Sequence, residues 1–261
     1  MTGDDLGLIA TLAAVTFLLG VLLGFIGAGG AGLALALLTT AFRLPVHQAI
    51  GTALAAMCFV TLSGAVSHYR EGNVAPRVGV VVGGAGAFGA ILGADTSQLV
   101  PEALLQRLAG LALLFLAALV WLRTRLAARV VLEPDWAGEV ARPGRDWAAS
   151  IGLGVSGGAA AAFFGVGMAP LLQLGFLTLL RLPLRQSVGT TMLALIFISA
   201  SGSLALARHG AISVPHLIGT TLGLASGAYL GARFTRRAPR WLLRGAIVAI
   251  PFLAGSVLLV A

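Results

Sequence analysis

Apolar residues occupy long stretches of this chain, separated by short polar or glycine-rich segments. A helix needs about 20 apolar residues to cross roughly 30 Å of hydrocarbon, and most of these stretches come close to that length. The second stretch of each group is short, so it fits either a full crossing or a re-entrant half-helix. The pattern predicts ten helical segments in two groups of five, at residues 6–26, 28–42, 46–69, 77–97 and 103–122, and at 147–165, 167–180, 185–208, 214–233 and 241–260.

The two groups are copies of one sequence. A shift of 138 positions places RLPVHQAIGT, which begins at Arg43, on RLPLRQSVGT, which begins at Arg181. The same register, without a gap, pairs Ser63-Gly64 with Ser201-Gly202. Since an internal repeat determines the architecture, we predict one all-α membrane unit made of repeat 1 (1–123), a cytoplasmic linker (124–146) and repeat 2 (147–261).

The arginines indicate how the segments cross the membrane. If all ten segments cross and the amino terminus lies outside, 14 of the 17 arginines face the cytoplasm, whereas re-entrant short segments divide them 9 to 8. Cytoplasmic loops are enriched in basic residues, so ten crossings are favoured. Five crossings per copy is an odd number, and the second repeat is therefore inverted relative to the first. Both termini are then expected on the outer, periplasmic side of the cytoplasmic membrane.

Composition supports a membrane protein and argues against other classes. The chain is 58% hydrophobic and 10% charged, whereas a soluble domain has about 25% charged residues. Its net charge of +8 comes from arginines spread over short loops, so nucleic acid is not an expected partner. The single Cys58 can form no internal disulfide. Without a zinc, P-loop or paired-cysteine motif, we expect no metal, no cofactor and no enzyme activity.

Two glycine clusters separate the first and second stretches of the repeats, and they are candidates for the substrate site. Gly27, Gly29 and Gly30 form the first cluster, and Gly165 and Gly167 form the second. Glycines at this depth either make a tight hairpin turn or interrupt a helix and free backbone N–H groups for an anion. Both interpretations remain open. Small-residue spacings such as Gly89 with Gly93 favour helix packing and would also allow a homodimer.

Repeated polar residues follow the proline that begins the third stretch. Glutamine and threonine lie one turn apart on one face, and a serine continues that face eleven positions later. Amide and hydroxyl groups could bind an oxyanion, or they could only form hydrogen bonds between helices. These candidate substrate-binding residues are Gln48, Thr52 and Ser63 in repeat 1, and Gln186, Thr190 and Ser201 in repeat 2.

Two arginines are also repeated, as Arg43 with Arg181 and Arg70 with Arg208. Inversion places the members of each pair on opposite sides of the membrane. They could line two anion vestibules that steer substrate from either side, or their side chains could extend to the lipid headgroups.

The chain resembles the TauE/SafE family of sulfite exporters. The resemblance lies in the glycine cluster, in the stretch LPVHQAIGTALAAMCFVTLSGAVSHYREGNV and in its copy LPLRQSVGTTMLALIFISASGSLALARHGAIS. This resemblance covers nearly the whole chain, and it implies transport of sulfite or organosulfonates. With the inverted repeat, it predicts a secondary transporter with a site near the bilayer midplane, working by alternating access. The alternative is a non-transporting membrane assembly factor for a respiratory or metal enzyme.

Overall fold

The computed structural model describes residues 3–26, 31–130, 147–166, 168–235 and 240–260, which form ten α-helices without any strand. The prediction of an all-α protein with ten helical segments is confirmed, and α2 and α7 are short, with 10 residues each. The helices are α1 Gly3–Ile26, α2 Ala31–Thr40, α3 Val46–Arg70, α4 Pro76–Ser97, α5 Glu102–Val130, α6 Trp147–Phe164, α7 Ala169–Thr178, α8 Leu184–Arg208, α9 Val214–Thr235 and α10 Arg240–Val260.

The surface of this bundle is apolar, and its interior combines alanine and glycine with large side chains such as Leu35 and Phe176. Large side chains such as Leu18, Phe88 and Phe115 are more than half exposed, and in water such a surface would promote association. By length and composition, five helices among the described residues could cross a membrane: α3, α4, α6 and most of α5 and α8. The exposed apolar side chains therefore face lipid, as expected for a multi-pass membrane protein.

Helices α4 and α6 lie parallel and in close contact. A Cβ added to Gly89 would meet the carbonyl oxygen of Val155, and one added to Gly93 would meet that of Ala159. Both contact positions advance together along the two helices, which shows that they run in the same direction. Because glycine has no Cβ, the backbones can approach to a separation at which dispersion forces hold helices together in lipid.

Helix α8 runs in that same direction. Gly79 of α4 packs against Leu193, and Gly83, one turn later, packs against Phe197. Since α6 and α8 are both parallel to α4, the segment between them must return the chain to the other end of the bundle.

Helix α7 begins this return. It lies antiparallel to α6, with Leu172 against Gly157 and Leu153 against Gly175. Ten residues extend only about 15 Å at 1.5 Å per residue, and the non-helical residues 179–183 complete the return to the start of α8. The short second segment of repeat 2 therefore connects two parallel helices, and its full crossing of the membrane stays a prediction.

The third helices of the two repeats, α3 and α8, are antiparallel. Gly64, late in α3, packs against Met192, early in α8, and Gly202, late in α8, lies near Leu54 of α3. Equivalent helices thus run in opposite directions, which confirms the inverted repeat. These two contacts are the same contact seen from either repeat.

The repeats interlock. The first helix of each repeat packs against the fourth helix of the other: a Cβ on Gly20 would meet the carbonyl of Leu224, and one on Gly158 would meet that of Gly86. Neither repeat is a separate body. The linker boundary at 124 remains a prediction; α5 continues to Val130, and residues 131–146 lie outside the described part of the chain.

The glycine contact between α4 and α6 gives a stability prediction. Gly89→Ala would push a methyl group into the Val155 backbone, and such overpacking typically costs about 1–3 kcal/mol. We expect a lower thermal unfolding temperature in detergent. Gly84→Ala is the matched control, because Gly84 is on the exposed face of the same helix with nothing within 4 Å of its Cβ position. Equal stability of the two variants would contradict this account of the packing.

Candidate functional site

The chain changes direction between α6 and α7, at the second glycine cluster. Gly165 has φ +67° and Met168 has φ +30°, so the helix is interrupted there. A Cβ on Gly165 would lie 2.7 Å from the side chain of Ile50 in α3. This break therefore packs against the turn of α3 that carries the predicted polar residues. Four glycines of the predicted clusters, Gly27, Gly29, Gly30 and Gly167, lie outside the described residues.

The two repeated threonines join the repeats. The hydroxyl of Thr52 accepts a hydrogen bond from the backbone N–H of Ser213 at 3.1 Å, and that of Thr190 accepts one from the N–H of Ala75 at 3.0 Å. Both threonine side chains are fully buried. Ser213 immediately precedes α9 and Ala75 immediately precedes α4, so each third helix binds the start of the fourth helix of the other repeat.

A glycine next to each threonine allows the backbone before the fourth helix to approach the third helix of the other repeat. A Cβ on Gly51 would meet the carbonyl oxygen of Ala211, and one on Gly189 would meet that of Asn73. The start of α9 is thereby held against α3, and the start of α4 against α8. The interhelical role that the sequence left open for the threonines is therefore present in the structure.

Each threonine hydroxyl also retains a donor. Neither Thr52 nor Thr190 donates to any described residue, whereas Thr191, beside Thr190, donates to the carbonyl of Ser187 at 2.7 Å. Buried hydroxyl groups usually use their donor. The two O–H groups are thus free to bind an added acceptor.

Gln48 and Gln186 lie one turn before the threonines and are half-buried. Within the described part of the chain, neither amide has a hydrogen-bond partner. We define the Gln48 half-site as Gln48, Thr52 and the start of α9 at Ser213. The Gln186 half-site is its equivalent: Gln186, Thr190 and the start of α4 at Ala75.

The half-sites lie at opposite ends of the molecule. The contacts of α3 with α8 are symmetric about Phe59 and Phe197, and Gln48 is eleven residues from Phe59. At 1.5 Å per residue this is about 16 Å, so the two glutamines are about 30 Å apart along the helices. Because the repeats are inverted, the two glutamines belong to two separate polar regions, and the single site near the midplane stays a prediction.

Ser63 and Ser201 join neither half-site. Ser63 is exposed on α3, eleven residues beyond Thr52, which is about 16 Å along the helix. Ser201 donates its hydroxyl to the carbonyl of Phe197 in its own helix at 2.7 Å. Their position on the same side of a helical wheel as the threonines does not bring them to the same neighbours.

The repeated arginines end helices. Arg43 and Arg181 have φ 51° and 50° and follow the short helices α2 and α7. Arg70 and Arg208 are exposed in the last turns of α3 and α8. Arg43 and Arg208 are at the Gln48 end of the bundle, and Arg70 and Arg181 are at the Gln186 end. A positive φ is unfavourable for residues other than glycine and asparagine. Arg43 and Arg181 therefore have a backbone role, the left-handed turn that follows each short helix, and the sequence did not reveal it.

The Gln48 half-site contains two further polar residues that the sequence analysis missed. The hydroxyl of Ser213 lies 2.7 Å from Nδ1 of His216, in the first turn of α9. The ring of Phe42 contacts His216 edge-on, with centroids 6.2 Å apart. In repeat 1 the equivalent positions are Ala75 and Val78. Comparison of the two copies for differences, as well as for identities, would have found this pair.

Charged contacts at the Gln48 end join helix termini. His209 Nε2 lies 3.1 Å from Asp95 Oδ1, which links the ends of α8 and α4, and His47 Nε2 lies 3.0 Å from the carbonyl oxygen of Ser97. The His209–Asp95 pair is exposed, so it contributes little to stability. Among the described side chains, no three His, Cys, Asp or Glu residues come together to hold a metal.

Two interlocked inverted repeats, with an equivalent polar half-site at each end, define a polytopic membrane protein of the kind that includes many secondary transporters. Residues 12–258 match the family model described as sulfite exporter TauE/SafE, and the chain belongs to this family.

Relatives agree with this assignment. The chain is 41% identical over 245 residues to the probable membrane transporter protein YdhB of Bacillus subtilis, covering 94% of this chain and 98% of that protein. It is 29% identical over 223 residues to a probable membrane transporter protein of Xylella fastidiosa, covering 84% and 83%. No solved structure matches the chain significantly. The family and these relatives indicate a multi-pass membrane transporter rather than the alternative assembly factor.

The hydrogen bond between Thr190 and Ala75 gives a second prediction. Thr190→Val would leave the partly buried N–H of Ala75 without an acceptor, at a cost of about 1–3 kcal/mol at most. We expect a lower unfolding temperature, while Thr190→Ser, which keeps the acceptor, stays near the wild type. Thr191→Val is the neighbouring control, because its hydroxyl bonds only within its own helix. A Thr190→Val protein as stable as Thr191→Val would argue against this bond.

Proposed function

We propose that this protein is a secondary carrier that moves a small oxyanion, sulfite or an organosulfonate, across the cytoplasmic membrane by alternating access. The observation that carries the proposal is the duplication of one half-site. The same amide, hydroxyl and helix terminus occur at each end of the bundle, with the roles of the two repeats exchanged. An anion entering from either side meets equivalent groups.

The chemistry of the half-sites suits an anion that must be released again. The amide of Gln48 and the O–H of Thr52 are neutral donors one turn apart on α3, and the Thr52 hydroxyl lies against the start of α9. The amino-terminal end of a helix carries a partial positive charge that favours anions. A fully charged group in the same place would bind an anion more tightly and slow its release.

The architecture also supports a mechanism. One wall of each half-site belongs to repeat 1 and the other to repeat 2. Helix α9 contributes to the Gln48 half-site and α4 to the Gln186 half-site, so relative movement of the α1–α9 and α4–α6 pairs opens one half-site as it closes the other. The Thr52–Ser213 and Thr190–Ala75 hydrogen bonds join the walls. Both bonds are formed here, and we assign this structure to a conformation closed at both ends.

Membrane orientation follows from the arginines. Under the positive-inside rule, the Gln186 half-site faces the cytoplasm and both termini lie outside. In this arrangement Arg70 and Arg181 form the inner vestibule, and Arg43 and Arg208 form the outer one. Their positive potential would concentrate anions at either entrance.

Flux through proteoliposomes tests the carrier. We expect protein-dependent uptake of at least one anion among sulfite, sulfoacetate and thiosulfate. Gln48→Ala and Gln186→Ala should each lower that flux by roughly 10- to 100-fold, since a hydrogen bond to a charged group contributes about 1.5–3 kcal/mol. Gln98→Ala, a half-buried glutamine at the end of α4, is the control and should transport normally.

The flux measurement has two informative failures. Absence of protein-dependent flux for all three anions would contradict the carrier proposal. Normal flux in both Gln48→Ala and Gln186→Ala, with Gln98→Ala also normal, would remove the half-sites from the transport path.

The vestibule role of Arg43 can be separated from its backbone role. Asparagine tolerates a positive φ better than most residues, so Arg43→Asn should remove the charge without disturbing the end of α2. We expect an unchanged unfolding temperature and a KM for the anion that rises several-fold at low ionic strength, with less effect at high salt because screening weakens steering. An unchanged KM at low salt would leave Arg43 with the backbone role alone.

A further inference from the structure

Helix α9 carries a line of polar side chains that its counterpart α4 lacks. The three residues are spaced i, i+3 and i+7, which places them on one face of the helix. On α9 they are Ser213, immediately before the first turn, His216 and Thr220, and the equivalent residues of α4 are Ala75, Val78 and Val82.

Thr220 is buried without a partner. Its side chain is fully inaccessible, and its hydroxyl makes no hydrogen bond to any residue that the structure describes; the buried hydroxyl oxygen of Thr221 is also without one. Other buried threonines, such as Thr61 and Thr191, donate to the carbonyl four residues earlier. A buried hydroxyl group without a hydrogen bond is destabilising, so a water or ligand is the expected partner of Thr220.

His216 links Thr220 to the Gln48 half-site. Its Nδ1 is engaged by the hydroxyl of Ser213 at 2.7 Å, while Nε2 has no partner within the described ranges. When Ser213 donates to Nδ1, the neutral ring carries its proton on Nε2 and can donate it. Thr220 is one turn further along the same face, about 6 Å deeper in the membrane.

The repeat symmetry locates the end of this line. Gly83 of α4 packs against Phe197, which marks the level about which the contacts between α8 and α3 are symmetric. Thr221 is the equivalent of Gly83, and Phe59 is the equivalent of Phe197. Thr220 is therefore close to the middle of the membrane, and the polar line runs from the Gln48 half-site to that level.

The geometry points to an extended binding subsite, on α9 only, in which Ser213, His216 and Thr220 receive the small oxyanion beyond the Gln48 half-site. This inference rests on the proposed carrier function and adds an asymmetry to it. From the Gln186 end, the anion would meet Val78 and Val82 at the same depth. His68, the histidine at that end, lies beside Gly189 and thus no deeper than the half-site itself.

Cysteine accessibility tests the subsite without depending on flux. Cys58 is the only cysteine, so Cys58→Ala gives a background for Thr220→Cys and for the matched Val82→Cys. In sealed vesicles of known orientation, a small sulfonate-bearing methanethiosulfonate should modify Thr220→Cys from the Gln48 side and leave Val82→Cys unmodified. Sulfoacetate, an organosulfonate that does not consume the reagent, should slow the modification. An unreactive Thr220→Cys, or labelling that sulfoacetate does not slow, would overturn the proposal even if the protein transports anions.

Exchange of residues between the repeats gives a second test. His216→Val and Thr220→Val introduce the residues that α4 has at the equivalent positions, and each should raise the KM for sulfite about tenfold from the Gln48 side alone. His209→Ala, at the same end but off this face, should not. Thr220→Val should also keep or raise the unfolding temperature, because it removes an unpaired buried hydroxyl, whereas a structural role predicts destabilisation. Equal KM changes from both sides, or a destabilised Thr220→Val with wild-type KM, would exclude the subsite.

Discussion

Backbone contact between helices of opposite repeats holds this protein together, and it is possible because the contact positions are glycine. Gly20 lies against the backbone of Leu224, and Gly158 lies against that of Gly86. Lipid supplies no hydrophobic force between helices, so this close approach provides the attraction. The tightly packed pairs, α1 with α9 and α4 with α6, each contain helices of both repeats. The moving parts of the proposed carrier are therefore better described as these mixed pairs than as the two sequence repeats, and the side-chain contacts between α3 and α8 lie between them.

That arrangement allows the fold and the proposed transport to use the same groups. Gly51 lets the start of α9 reach α3, and Thr52 then accepts its N–H. The threonine thereby holds the two walls of a half-site together while its own O–H remains unused. Interhelical bonding and substrate contact, which are alternatives when only the sequence is considered, are compatible at one hydroxyl because it accepts in one interaction and donates in the other. A substrate that takes up this donor would act at the contact that joins the walls.

The repeat shift and the arginine distribution were sufficient to predict ten helices and the inversion of the second copy, because both depend on patterns spread over the whole chain. The separation of Gln48 from Gln186 already follows from inversion, but a helical wheel shows only the face on which a residue lies and not its depth along the helix. Ser63 shares a face with Thr52 but is exposed, because the neighbours of α3 change along its length. The positive φ of Arg43 had no sequence signal, since the left-handed region usually calls for glycine or asparagine.

The differences between the copies matter for function because the backbone is so symmetric. Two identical half-sites would bind an anion equally well from either side. Replacement of Ala75, Val78 and Val82 by Ser213, His216 and Thr220 changes the side chains along α9 and leaves the glycine contacts of α9 with α1 and α3 intact. Binding asymmetry cannot by itself drive net transport, since the electrochemical gradient of the anion determines the direction. The rates at which the carrier reorients inward and outward adjust accordingly. It does determine the concentration at which each side saturates, so the polar face of α9 would adapt one symmetric fold to different anion concentrations on the two sides of the membrane.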